Sequence, residues 1–139
     1  MPKIERFEDL DCWKESRKLV NLVYDVCNKE VLSKDFTTKD QFKRAALSVM
    51  NNIAEGFGRF STKEFIRFLE ISQSSAMEVR SMLYVLSDRK CISQKEFDEL
   101  MNQVITATNL INGLIRYLNK RTGKKMIGMT FSNFRTFTP

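Results

Sequence analysis

The side chains able to do chemistry in this chain are few, and the shortest statement about them is a negative one. There is no histidine, so Ser-His-Asp and Cys-His catalysis, His-bearing zinc sites and the commonest general base are absent. Cys12, Cys27 and Cys91 are an odd number without Cys-x-x-Cys spacing. That pattern suits reduced thiols in a cytoplasmic protein and cannot build a four-cysteine metal site. Glu55, Glu64, Glu70 and Glu78 are the carboxylates nearest the middle of the chain, and no two of them stand in an acid–base or metal-binding motif. The expectation is a protein that is not an enzyme and carries no metal and no cofactor.

What remains is positive charge. The net charge is +6, and the last acidic residue is Glu99. Beyond it lie Arg116, Lys120, Arg121, Lys124, Lys125 and Arg135 with nothing to neutralise them, a one-signed block that points to an anionic partner. A second cationic group, Arg59, Lys63 and Arg67, flanks Gly56, Gly58 and Ser61. Lysine and arginine attract phosphate irrespective of base sequence. The free N–H groups at the start of a helix after Ser61 would add to such a site. Candidate nucleic-acid contacts are therefore Arg59, Lys63, Arg67, Arg116, Lys120, Arg121, Lys124 and Lys125. Phe131, Phe134 and Phe137 either stack on bases or pack on their own protein.

These residues are positioned by helices. Only two prolines occur, Pro2 and Pro139, so nothing interrupts long helical runs. Apolar residues at spacings of three and four predict four helices, at about 9–31, 38–56, 62–88 and 94–121. Thr38 with Gln41, Ser61 with Glu64, and Ser93 with Glu96 have the spacing of capping pairs. Gly56 and Gly58 suit a helix C-cap and a turn with positive φ. The third helix should bury Phe65, Phe68, Leu69, Ala76, Val79, Leu83 and Leu86. The fourth carries a heptad of Phe97, Met101, Val104, Thr108, Ile111, Ile115 and Leu118, with Leu100, Ile105, Leu110 and Leu114 as a second stripe. In the second helix Arg44, Ser48, Asn52 and Glu55 fall on one face, next to Gly56. That stripe is either solvated or a hydrogen-bonded seam against another helix or subunit, and Glu55, near a helix C-terminus, calls for a cationic partner such as Arg59.

Four such helices with short connections and no strand signal predict an all-α, up-down-up-down antiparallel four-helix bundle over 1–121. A basic, aromatic tail of uncertain structure follows over 122–139. No apolar run is long enough to cross a bilayer, and no signal peptide is visible. The helices carry more apolar surface than one core needs, which predicts a homo-oligomer.

Leu10-Asp11-Cys12-Trp13, the run from Gln41 through Arg44, Ser48, Asn52 and Ile53-Ala54-Glu55-Gly56, and Arg59 through Ser61, Glu64, Phe65, Phe68 and Leu69 resemble the bacterial four-helix bundle proteins of the 23S rRNA intervening-sequence type. The resemblance spans roughly Phe7 to Lys120. Cys12 and Ser16 depart from the usual aliphatic residue and alanine, and Ser72 and Ser74 from the usual alanine and glycine. That family is similar in fold to the accessory variability determinants of diversity-generating retroelements, which form homopentameric barrels, bind nucleic acid through basic surfaces and engage a reverse transcriptase. The resemblance implies a ring-shaped homo-oligomer, a pentamer, with RNA or DNA as partner, ribosomal RNA or a reverse transcriptase among the candidates, and no membrane. The leading expectation is a non-catalytic oligomeric RNA-binding accessory protein. The alternative is a protein-interaction scaffold, such as a reverse-transcriptase accessory subunit, with nucleic-acid contact secondary.

Overall fold

The computed structural model describes residues 4–121, and every regular element in that range is helical. A single 3-10 turn, Phe7–Asp9, leads into α1, Asp11–Cys27. A one-turn helix α2, Glu30–Ser33, follows, then three long helices: α3, Phe36–Phe57; α4, Thr62–Asp88; and α5, Gln94–Arg121. The tail with Phe131, Phe134 and Phe137 lies outside the described residues. Among the described residues no helix is long and apolar enough to cross a membrane.

The first predicted helix does not reach residue 31. It stops at Cys27, and Lys29 is extended with ψ 146 before α2 begins. The reason lies in which side chain can enter the core. An uninterrupted helix would carry Val31 along the apolar stripe, whereas after the break Val31 is 58% exposed and Leu32 is fully buried. Burying the larger leucine outweighs one interrupted turn.

The start of the next helix also shifts. Asp35, not Thr38, is the N-cap, its side chain accepting the Thr38 backbone N–H at 3.1 Å. Aspartate accepts through a charge-bearing oxygen and places the cap one turn earlier. At the far end Gly56 is helical, and the C-cap Gly58 has φ −77, so the expected positive φ is not used there. Gly56 is needed for space instead. A Cβ on it would lie 2.7 Å from the Phe68 Cβ and 2.9 Å from a ring carbon of Phe65, so only glycine lets α3 approach α4 this closely.

The helix starts at Ser61 and Ser93 follow the capping-box spacing. Glu64 N–H donates to Ser61 Oγ at 3.0 Å, and Glu96 N–H donates to Ser93 Oγ at 3.1 Å while Ser93 N–H returns to Glu96 Oε1 at 2.8 Å. Between them α4, ending at Asp88 with Arg89 as C-cap, is followed by Lys90, whose φ of 58 is the left-handed conformation usually given to glycine. Cys91 N–H bonds the Leu86 carbonyl at 2.8 Å and Lys90 N–H bonds that of Ser87 at 3.0 Å, closing the carbonyls of the last turn.

The long helices pack in a closed order, α1 against α3 and α5, and α4 against α3 and α5. The buried face of α4 contains all seven predicted residues, with Thr62 and Ser72 added. Ser72 is fully buried and donates to the Val49 carbonyl at 2.5 Å, which satisfies its hydroxyl and draws the two backbones together. In α5 the centre of the buried face is rotated from the predicted heptad. Val104, Thr108, Ile111 and Leu118 of that heptad are buried, but Phe97, Met101 and Ile115 are only half-buried, while Leu100, Ala107, Leu110, Leu114 and Tyr117 are buried and Ile105 is exposed. Cys12 and Cys27 are buried, and all three thiols are free. Burial pushes the Cys12 thiol up to about 12.

Candidate nucleic-acid interface

The predicted cations come from two stretches, and their relation depends on how α4 lies along α5. Tyr84 meets Phe97 edge-on with ring centroids 5.5 Å apart, and further along Gln73 Nε2 donates to Asn112 Oδ1. Moving back along α4 therefore matches moving forward along α5. Continued in the same sense, the first turns of α4 lie beside the last turns of α5. Lys63 and Arg67 are thereby brought to the same end of the molecule as Arg116, Lys120 and Arg121. Lys124 and Lys125 lie outside the described residues.

Within this end the side chains are arranged unevenly. Arg59 pairs with Glu55 at 3.0 Å, one helical turn earlier, and its guanidinium lies over the Phe68 ring at 4.8 Å. Arg67 approaches the same ring at 5.5 Å, and Arg121 lies over Tyr117 at 5.3 Å. Guanidinium–ring contacts of this kind hold a cation at the surface without neutralising it. Lys63, Arg67, Arg116 and Lys120 are exposed, and none of them is in an ion pair among the described residues. The α4 N-terminus opens at this end, its first turn capped by Ser61.

The stripe Arg44, Ser48, Asn52, Glu55 and Gly56 is divided by the structure. Arg44 is exposed and paired with Asp40 at 2.8 Å, and Glu55 is exposed and paired with Arg59. Between them Ser48 shares a 2.6 Å hydrogen bond with Ser75 of α4, and Asn52 Nδ2 donates to the Ser48 carbonyl and hydroxyl at 2.8 and 3.0 Å. Gly56 is buried against Phe65 and Phe68. The middle of the stripe thus faces α4 within the same chain, while its two charged residues stay in water.

Phe60 is a residue that sequence reasoning passed over. It stands between Gly58 and the Ser61 cap and is completely exposed, at 104%. A signal was available: it is a large apolar residue in a corner otherwise made of glycine, arginine, serine and threonine. Elsewhere on the surface Ile71, Met77, Tyr84 and Val85 are exposed along the outer side of α4. Among the described residues no group of three or more Cys, Asp or Glu could hold a metal ion.

No curated protein matches the chain. A crystal structure of a protein of unknown function from the S23 ribosomal protein family of Bacteroides thetaiotaomicron superposes with a TM-score of 0.65 at 24% identity. It covers 76% of this chain and 94% of that one, which shows a shared fold. The sequence pattern of the 23S rRNA-intervening sequence proteins matches residues 8–113, a span that includes the break after α1, the α3–α4 corner and most of α5. The chain belongs to the 23S rRNA-intervening sequence protein family.

Proposed function

We propose that the protein is a non-catalytic, self-associating nucleic-acid-binding protein that takes RNA at the end of the bundle where α4 begins and α5 finishes. The observation carrying this reading is the meeting there of Lys63 and Arg67 with Arg116, Lys120 and Arg121. The helices then run up-down-up-down, which is supported by the pairing of Gln41 with Glu78 and Ser48 with Ser75 across α3 and α4, and of Gln103 with Glu15 across α1 and α5. Free, largely buried thiols suit the reducing cytoplasm as the site of action. The test is the salt dependence of binding to a single-stranded RNA. Five phosphate contacts to a single strand give a loss of about a hundredfold between 50 and 200 mM salt; affinity that is flat over that range rejects the reading.

A second reading has one observation of its own. Ile71, Met77, Tyr84 and Val85 leave the outer side of α4 partly apolar, a surface suited to another protein chain or a second copy. Under this reading the protein is a scaffold, and charge reversal at Lys63, Arg116 and Lys120 leaves its complexes intact.

A further inference from the structure

The cationic end contains one side chain that attraction to phosphate does not explain. Phe60 is fully exposed in the α3–α4 corner, although burying a phenylalanine ordinarily stabilises a fold. None of the ring contacts found among the described residues involves it. Phe57 packs edge-on against Phe65, Phe7 against Trp13 and Tyr84 against Phe97. Phe36, also exposed, is covered on one side by the Lys39 ammonium at 4.7 Å. Arg59, the neighbour best placed to shield Phe60, is engaged with Glu55 and Phe68. Both faces of the Phe60 ring are therefore open. The ring stands in a connection only four residues long, between α3 ending at Phe57 and α4 starting at Thr62, so its backbone has little freedom to turn it away.

We propose that Phe60 is a stacking platform for an unpaired base, with Lys63 and the cations ending α5 holding the flanking phosphates. This deepens the nucleic-acid reading and rests on it: the ligand class becomes single-stranded RNA or DNA. A base inside a duplex is already stacked on both faces and cannot reach a ring on a convex corner, whereas an unpaired base offers a free face. Stacking tolerates any base, so the site prefers strandedness over sequence.

The test uses the full-length chain and three fluorescent twelve-residue probes: oligoadenylate, the same length of abasic strand, and an adenine–uracil duplex. Wild type binds oligoadenylate about tenfold more tightly than the abasic strand. Phe60→Ala removes that tenfold preference, leaves abasic-strand affinity unchanged and does not alter the slope of affinity against salt. Phe60→Trp restores the preference. The substitution site is wholly exposed, so folding is not at stake. Phe60→Ala with wild-type affinity for all three probes, while salt dependence persists, overturns the stacking role and leaves the electrostatic reading standing. Duplex bound as tightly as oligoadenylate also overturns it, and loss of affinity for every wild-type probe overturns the site and the stacking role together.

Discussion

The two ends of the bundle are built from the same parts and treat charge in opposite ways. Residues 55–67 and 113–121 carry six cations, Arg59, Lys63, Arg67, Arg116, Lys120 and Arg121, against two acids, Glu55 and Glu64. Residues 28–40 and 88–99 also carry six cations, but against seven acids, and there Lys29 Nζ reaches from the end of α1 to Glu96 Oε1 at 2.6 Å. At that end Lys29 and Lys39 bridge neighbouring elements and acids balance the remaining cations; at the other most cations face solvent with few acids beside them. The corners differ in backbone as well. The α3–α4 corner places Gly58 at φ −77, a conformation open to any residue, while the α4–α5 corner asks Lys90 to adopt φ 58.

The largest expected effect separates the ends directly. Lys63→Glu, Arg116→Glu and Lys120→Glu combined should weaken single-stranded RNA binding about a hundredfold at 0.1 M salt and flatten its salt dependence. The same reversal at Lys34, Lys90 and Lys95 should change affinity less than threefold in the same titration, by the same argument of local charge. Equal losses at both ends would erase the distinction.

Stability separates the ends next. Gly56→Ala should destabilise by about 2 kcal/mol in urea unfolding, because its Cβ meets the Phe68 Cβ and the α3–α4 backbones must part. Gly58→Ala, with its nearest neighbour at 3.5 Å, should be neutral or stabilise by about 0.5 kcal/mol. At the other corner Lys90→Gly should stabilise by about 1 kcal/mol by removing the left-handed strain at a non-glycine residue. A destabilising Lys90→Gly would mean that the lysine side chain contributes more than its backbone costs.

The smallest effect is in acid. The Lys29 ammonium, followed by the Ser93 backbone N–H, holds the Glu96 carboxyl below its ordinary value of 4.5. The Thr38 N–H lowers Asp35 in the same direction. Lowered acids contribute stability that is complete above the unfolded-state value and lost as pH falls through the folded value. Glu96→Gln should therefore cost roughly 0.5 kcal/mol at neutral pH and make unfolding temperature less steep in pH below 4.5. A variant as steep as wild type would assign the acid sensitivity elsewhere.

The α4 core was legible because Phe65, Phe68, Leu69, Ala76, Val79, Leu83 and Leu86 repeat at the period of the helix and lie on a single buried face. The caps at Ser61 and Ser93 were legible because they need only three consecutive neighbours. The break after Cys27 was not, since Val31 and Leu32 are both apolar and only the space above α3 chooses between them. The centre of the α5 face was hidden for a similar reason: Val104, Thr108, Ile111 and Leu118 of one stripe and Leu100, Leu110 and Leu114 of the other are all buried, and the partners α1 and α4 decide where between them the centre falls. Phe60 was missed because periodicity is silent inside a four-residue corner.

Local chemistry, then, settled the course of the last two helices, the caps at Ser61 and Ser93 and the exclusion of histidine-based catalysis, since each follows from bonds and side chains within a few residues of one another. The meeting of Lys63 and Arg67 with Arg116, Lys120 and Arg121 belongs to tertiary structure alone. Those groups are some fifty residues apart in the chain, and only the way α4 and α5 slide and rotate to bury their apolar faces brings them to one end.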